Sequence, residues 1–206
     1  MKTLRQWLGG IKRRLLSLLE IKAGIMLCMP VPRAPGALIS DTEMPQALRR
    51  AVDYRDDLHC SEPEFSRRCR KGNVLYELVV DGQPVCYGWV AEAGAHVGVL
   101  HELRLVVPAG AFYIWDCATA PACRGNGYFR TLLLGLVGEV YSTSTLALVA
   151  VDTGNKPSRR ALASAGFLPA FTYISARVAG RGLLSVAFKG GKVSAAQAEF
   201  DRFDAV

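Results

Sequence analysis

Two spacings of apolar residues divide this chain of 206 residues. Leu4, Leu8, Ile11, Leu15 and Leu18 recur at three- and four-residue steps, with Trp7 and Leu19 beside them, and predict an amphipathic helix. Gly9 and Gly10 weaken it, each costing about 1 kcal/mol against alanine in a helix. A Pro-rich stretch over residues 30–36 follows and reads as a stiff linker. Asp41 or Thr42 is suited to cap a helix running to about Leu58, with Pro45 tolerated in its first turn, and residues 62–70 read as a second, shorter helix. From Val74 the pattern shifts to strands. Residues 74–80 and 84–92 flank Asp81-Gly82, a strong hairpin turn. Residues 97–107 predict the next strand, and Pro108-Ala109-Gly110 turns it into Ala111–Thr119, which is rich in aromatic and β-branched residues and stops at Pro121. Phe129, Leu132, Leu133, Leu136, Val137 and Val140 then give one apolar helical face. A strand over 146–151, a helix ending at Gly166, strands over 171–178 and 183–188, and a short helix over 194–203 complete the series.

The junction between the strand ending at Thr119 and the next helix carries the chemistry. Arg124-Gly125-Asn126-Gly127 stands there. Its two glycines let the backbone turn tightly and approach a ligand without an intervening Cβ. The N–H groups that open a helix lack partners within it and sit at the positive end of its dipole, so the place suits a pyrophosphate.

This segment resembles the acyl-CoA loop of the GNAT acetyltransferase superfamily, whose pattern is Arg/Gln-x-x-Gly-x-Gly/Ala after a strand. Arg124, Gly127 and Phe129 occupy the three pattern positions. Phe129 departs from Gly/Ala, which either only alters helix packing or narrows the cofactor groove. A second signature follows in order: an apolar strand, Asn155 with Ser158 three residues on, and a short helix ending in Gly166-Phe167. Gly166 falls where a helix C-terminal glycine belongs. The resemblance covers about residues 72–190. It implies an α/β domain of the acyl-CoA N-acyltransferase type, with a mixed, mostly antiparallel sheet flanked by helices. It also implies acetyl-CoA as co-substrate and an amine, on a small molecule or a protein, as acceptor. In the family two central strands splay apart around the pantetheine arm. By the resemblance, the backbone of Cys117, Ala118 and Thr119 would pair with the pantetheine amides, the loop of Arg124, Gly125, Asn126, Gly127, Tyr128 and Phe129 would hold the pyrophosphate, and Asn155 and Ser158 would flank the arm. The two helices expected before residue 72 would wall the acceptor site.

Many relatives place a tyrosine four residues before the glycine of Gly-Phe, as the acid that protonates the departing thiolate. Here that position is Leu162, which has nothing to donate. The acid is then another group, a water, or absent altogether, and the expected assignment is a water or Tyr173. Asp116, the one carboxylate of the central strand, is the expected base, with His101 and Glu102 as the other options on a neighbouring strand. Strand alternation puts Asp116 and Cys117 on opposite faces, and leaves open which face carries the cofactor.

Composition narrows the rest. The formal charge is +7 and the pI about 9.3, but much of the excess lies in Lys2, Arg5, Lys12, Arg13, Arg14 and Lys22 and no nucleic-acid module accompanies it, so no nucleic-acid partner is expected. Residues 1–29 have two readings: a basic amphipathic segment lying on an anionic membrane surface, or leucines packed on the domain or a second subunit. The longest uncharged run, residues 23–32, falls far short of the roughly 20 residues a spanning helix needs. Six cysteines, at 28, 60, 69, 86, 117 and 123, show no Cys-x-x-Cys and read as reduced thiols of a cytoplasmic protein. His59, Cys60 and Cys69 lack a completing ligand, so no metal site is expected. The expected organisation is a basic arm and linker over 1–36 and a catalytic domain over 37–206. The rival functions are transfer of longer acyl chains from CoA or a carrier protein, and acyl-CoA binding without catalysis.

Overall fold

A computed structural model describes residues 19–32, 46–56, 58, 60–100 and 103–205. Its strands are β1 (Leu19–Pro30), β2 (Gln46–Ala51), β3 (Asn73–Val80), β4 (Gln83–Ala91), β5 (His96–Leu100), β6 (Leu103–Val106), β7 (Ala111–Thr119), β8 (Leu146–Asp152), β9 (Leu168–Val178), β10 (Arg181–Lys189) and β11 (Lys192–Ala195). Its helices are α1 (Glu62–Arg70), α2 (Tyr128–Gly135), α3 (Lys156–Ser164) and α4 (Ala196–Asp201). A wider π turn, Leu136–Val140, prolongs α2. Nine strands form one sheet in the order β11-β10-β9-β1-β8-β7-β4-β3-β2, and β5 pairs with β6 in a separate hairpin. Among the described residues only the β7–β8 pair is parallel; the other ladders are antiparallel. This is the mixed, mostly antiparallel architecture that the family resemblance implies.

Alternation along the central strands supplies the core on both faces. Phe112 and Ile114 of β7, with Ala147 and Val149 of β8, pack under Leu132, Leu133, Leu136 and Val137 of α2 and its π turn. Leu162 of α3 and Phe167 belong to the same cluster. On the opposite face Tyr113, Leu148, Phe171 and Tyr173 pack with Leu105 of β6 and Phe200 of α4. The parallel strands β7 and β8 are thus covered on both sides, as buried parallel pairs must be.

Three elements correct the sequence reading. The expected arm over residues 1–36 contains β1, which lies inside the domain between β8 and β9 and pairs with both. Strands β8 and β9 run parallel, joined by α3, and leave a gap one strand wide that β1 fills. The uncharged run that is too short to span a membrane is long enough for a strand buried on both faces: Ile25, Leu27 and Met29 face α2 and α3, while Met26 and Cys28 face α4. Residues 1–18 lie outside the described residues, as does most of the expected linker. No described helix is long and apolar enough to cross a membrane.

The helix expected from residue 41 to about Leu58 is also overturned within the described residues. Gln46–Ala51 is an edge strand paired to β3 from Gln46↔Val80 to Ala51↔Leu75. Tertiary need overrides helical propensity there. Glu77 of β3 is buried at 3% exposure, and Arg49, directly opposite it, and Arg55 neutralise it through Nη2–Oε2 contacts of 3.0 and 2.8 Å. Finally, the single strand expected over 97–107 is the hairpin β5–β6.

Candidate functional site

The site forms where β7 and β8 part. Their parallel pairing runs from Ala111↔Leu146 to Ile114↔Val149 and ends there. Beyond it, β7 stays with β4, through Trp89↔Trp115 and Cys86↔Thr119, while β8 stays with β1, through Met26↔Ala150 and Gly24↔Asp152. A cleft therefore opens at the carboxyl ends of the two strands. Cys117, Ala118 and Thr119 form one wall, all half-buried and without a β8 partner.

The glycine loop lies at the end of that wall. A single 3-10 turn, Pro121–Cys123, leads into it, and the Cys123 N–H donates to the Ala120 carbonyl at 2.8 Å. Arg124 turns back to donate Nε to the Thr119 carbonyl at 3.3 Å, and Asn126 donates Nδ2 to the Cys123 carbonyl at 3.2 Å. Gly125 and Gly127 have φ of 86° and 77°. An alanine Cβ at either would meet no described atom within 4 Å, so among the described residues the glycines serve a left-handed backbone beside open space. Gly127 is the N-cap of α2 and no described side chain caps that end. The first N–H groups of α2 are thus presented to the open side of the loop, which fits a phosphate-bearing ligand. Tyr128 and Phe129 are half-buried against the α2 core, so the Phe129 departure serves helix packing. Asn155 and Ser158 lie across the cleft beyond β8, where Asn155 Oδ1 accepts the Ser158 N–H at 3.2 Å and caps α3. Leu162, at the family's acid position, is 1% exposed in the core.

Asp116 and Cys117 owe their directions to a bulge. Two residues of β7, Asp116 and Cys117, oppose Gly88 alone on β4, and Asp116 takes φ of 44°, a left-handed conformation that aspartate tolerates. Gly88 is required there, since a Cβ on it would stand 2.9 Å from Cys117 Sγ. Cys117 packs toward Leu132 of α2, and burial pushes its thiol pKa up, so it is a neutral packing group. Asp116 points to the other face. Arg68 of α1 donates Nη1 to Asp116 Oδ2 and is also bonded to Glu64, while its guanidinium lies 4.9 and 4.5 Å from the ring centres of Trp89 and Trp115. Helix α1 is thereby tied to the bulge.

On that face a cavity of about 250 Å³ fills the mouth of the cleft. Tyr113, Trp115 and Asp116 of β7, Ala150 and Asp152 of β8, Gly24 of β1, Gly98 of β5 and Tyr173 of β9 line it. The sequence-named pair Asp116 and Tyr173, 57 positions apart in the chain, thus meets in one pocket. Tyr173 reaches it across Gly24: on the ladders Gly24 stands opposite both Asp152 and Tyr173, and a Cβ on Gly24 would lie 2.3 Å from the Tyr173 hydroxyl. Burial, and then the Asp152 carboxylate, push the Tyr173 phenol above its ordinary range, so it carries its proton at neutral pH. Burial does the same to Tyr113. His101 and Glu102 lie outside the described residues. Sequence reasoning missed Gly24, Arg68, Tyr113 and Asp152. Gly24, a glycine inside an apolar run, was the one with a signal, because a strand-interior glycine marks close approach.

The acetyltransferase (GNAT) family profile matches residues 49–167, more than half of the chain, and the chain belongs to this family. Solved structures agree on the fold. A GCN5-related N-acetyltransferase from Sphaerobacter thermophilus aligns with TM-score 0.50 at 13% identity, over 84% of this chain and 57% of its own. A functionally unknown conserved protein from Staphylococcus epidermidis aligns with TM-score 0.54 at 10% identity, over 81% of this chain and 65% of its own. The chain thus spans less than two thirds of each of these structures. No curated protein matches it in sequence.

Proposed function

We propose that this protein transfers an acetyl group from acetyl-CoA to the amine of a small molecule. The observation that carries the reading is the parting of β7 and β8 beyond Ile114 and Val149, with the uncapped, glycine-headed α2 at one end of the cleft and a pocket holding Asp116 and Tyr173 at its mouth. In this reading the Gly125–Gly127 backbone and the first turn of α2 bind the pyrophosphate. The pantetheine arm lies along Cys117, Ala118 and Thr119, with Asn155 and Ser158 on the far side. The thioester then reaches the pocket, whose volume of about 250 Å³ suits a short acyl group and a small acceptor better than a long acyl chain.

The transfer moves the acyl carbon from sulfur to nitrogen. Asp116 takes the proton that the amine nitrogen loses, directly or through one water, and the Tyr173 hydroxyl supplies one to the departing sulfur. Burial keeps Tyr173 protonated at working pH. The bulge at Asp116 and the Arg68 contact hold the carboxylate in place, so most of the rate gain comes from holding the reactants together.

Calorimetry with acetyl-CoA tests the cofactor half. Asn126→Asp adds a negative charge to the loop and removes its Nδ2 bond to the Cys123 carbonyl, and affinity should fall about tenfold or more. Unchanged affinity would remove the loop from the binding site. For the chemistry, Asp116→Asn should lower turnover about a hundredfold or more with acetyl-CoA affinity preserved. Full activity in that variant would leave positioning alone to explain catalysis.

A further inference from the structure

The pocket at the mouth of the cleft has a one-sided charge. Among its described lining residues the charged side chains are two carboxylates, Asp116 on the β7 wall and Asp152 on the β8 wall, although the chain as a whole carries +7. The two carboxylates are not equivalent. Asp116 Oδ2 is engaged by Arg68. Asp152 makes no ion pair with a described residue; its Oδ1 accepts the Gly154 N–H at 2.7 Å, which fixes the carboxylate's orientation at the end of β8. The rest of the lining is aromatic or small, with Trp115 and the two phenols as walls and Gly24, Gly98 and Ala150 opening the floor.

A second observation points to a ligand. Tyr173 is 3% exposed and lines the cavity, yet its hydroxyl has no hydrogen-bond partner among the described residues. That hydroxyl borders the cavity rather than being sealed away from it, so a group that enters the pocket can bond to it. Tyr173 stands beside Asp152 across Gly24, which makes the two a single polar corner inside aromatic walls.

We propose that the acceptor is a small diamine, bound so that one nitrogen reaches the thioester on the Asp116 side while the other stays an ammonium held at the Asp152 corner. This rests on the acetyl-transfer reading and names the acceptor class for it. An ammonium at Asp152 meets a carboxylate that no described cation pairs, and the aromatic walls favour a cation over their faces. An acceptor bearing a carboxylate, such as an amino acid, would instead bring a third negative charge into the pocket. The small volume limits the acceptor to a short chain.

The experiment uses the full chain and three probes of one length: 1,4-diaminobutane, butylamine and 4-aminobutanoate, with the diamine's next shorter and longer homologues added. Acetyl-CoA binding is first measured by calorimetry. Amine binding to the acetyl-CoA-loaded protein and CoA release follow for wild type and Asp152→Asn. The substitution keeps the Oδ1 acceptor for Gly154 and removes only the charge. The expected kcat/KM for the best diamine exceeds that of butylamine by about tenfold or more, with 4-aminobutanoate poorest. In Asp152→Asn that preference falls to within about threefold, through KM rather than kcat. The diamine proposal is overturned if butylamine or 4-aminobutanoate matches the diamine, if the variant keeps the preference, or if no diamine binds the loaded protein at millimolar concentration. In each of those cases acetyl-CoA binding by the wild type leaves the acetyl-transfer reading standing. Absence of acetyl-CoA binding overturns both.

Discussion

Gly24→Ala probes the packing that brings Tyr173 to the pocket. The glycine sits within β1 and has no need of a left-handed backbone, so what it supplies is space. An alanine Cβ would stand 2.3 Å from both Cζ and Oη of Tyr173, far inside van der Waals contact. The ring has little room to give way, since it is 3% exposed and the Phe200 ring packs on it with centroids 5.2 Å apart. Overpacking of this kind costs about 1–3 kcal/mol. For a chain this size that is a melting-temperature loss of about 2–12 °C, at 2–4 °C per kcal/mol. With the ring removed by Tyr173→Ala the clash is gone, and Gly24→Ala should then stabilise by about 0.5–1 kcal/mol, because alanine loses less entropy in a strand. The double-mutant cycle in urea therefore predicts a coupling of about 1.5–4 kcal/mol between residues 24 and 173. Turnover of Gly24→Ala should fall toward that of Tyr173→Phe, which keeps the ring and deletes the proton. A Gly24→Ala penalty of the same size on both backgrounds would refute the contact, and a Gly24→Ala enzyme with full stability and full turnover would refute its role in the site.

A chain starting at Val31 lacks β1, which pairs with both β8 and β9, and should give no cooperative unfolding transition; a dispersed amide spectrum from that chain would contradict the topology. Arg68→Met should cost about 2–3 kcal/mol in urea, because Asp116 loses a charge-assisted bond and the two indoles lose their cation, with Arg68→Lys recovering part of it. Burial raises the phenols of Tyr113, Tyr141 and Tyr173, so the folded chain keeps protons that the unfolded chain releases near pH 10. Their contribution to stability is complete below that pH, begins to be lost as pH rises past it and goes on falling toward the raised folded values. The urea midpoint should therefore start to drop at about pH 10 and keep dropping above it, and Tyr113→Phe should flatten the fall. A midpoint flat across that range would show that these phenols ionise equally in both states.

Local chemistry was legible without the fold. The Asp81-Gly82 hairpin, the apolar stripe from Phe129 to Val137, the cap at Asn155 and the left-handed glycines at 125 and 127 each depend on neighbours within a few residues, so their patterns survive in the linear chain. Such patterns also carried the cofactor loop, because a helix N-terminus and the turn before it are a single continuous stretch. What the sequence could not decide was where a segment pairs. Residues 46–51 have helical propensity and become a strand because the edge of β3 and the buried Glu77 lie beside them, 22 or more positions away for Arg55 and 28 for Arg49. The apolar run of β1 reads as part of an arm, and only the gap between β8 and β9 makes it a strand. The face of Asp116 was likewise hidden. Alternation separates it from Cys117, but its place beside Tyr173 depends on a bulge opposite Gly88 and on the guanidinium of Arg68, 48 residues away. Pocket residues drawn from β1, β5, β7, β8 and β9 have no common spacing, since backbone hydrogen bonds across the sheet, and not distance along the chain, bring them together.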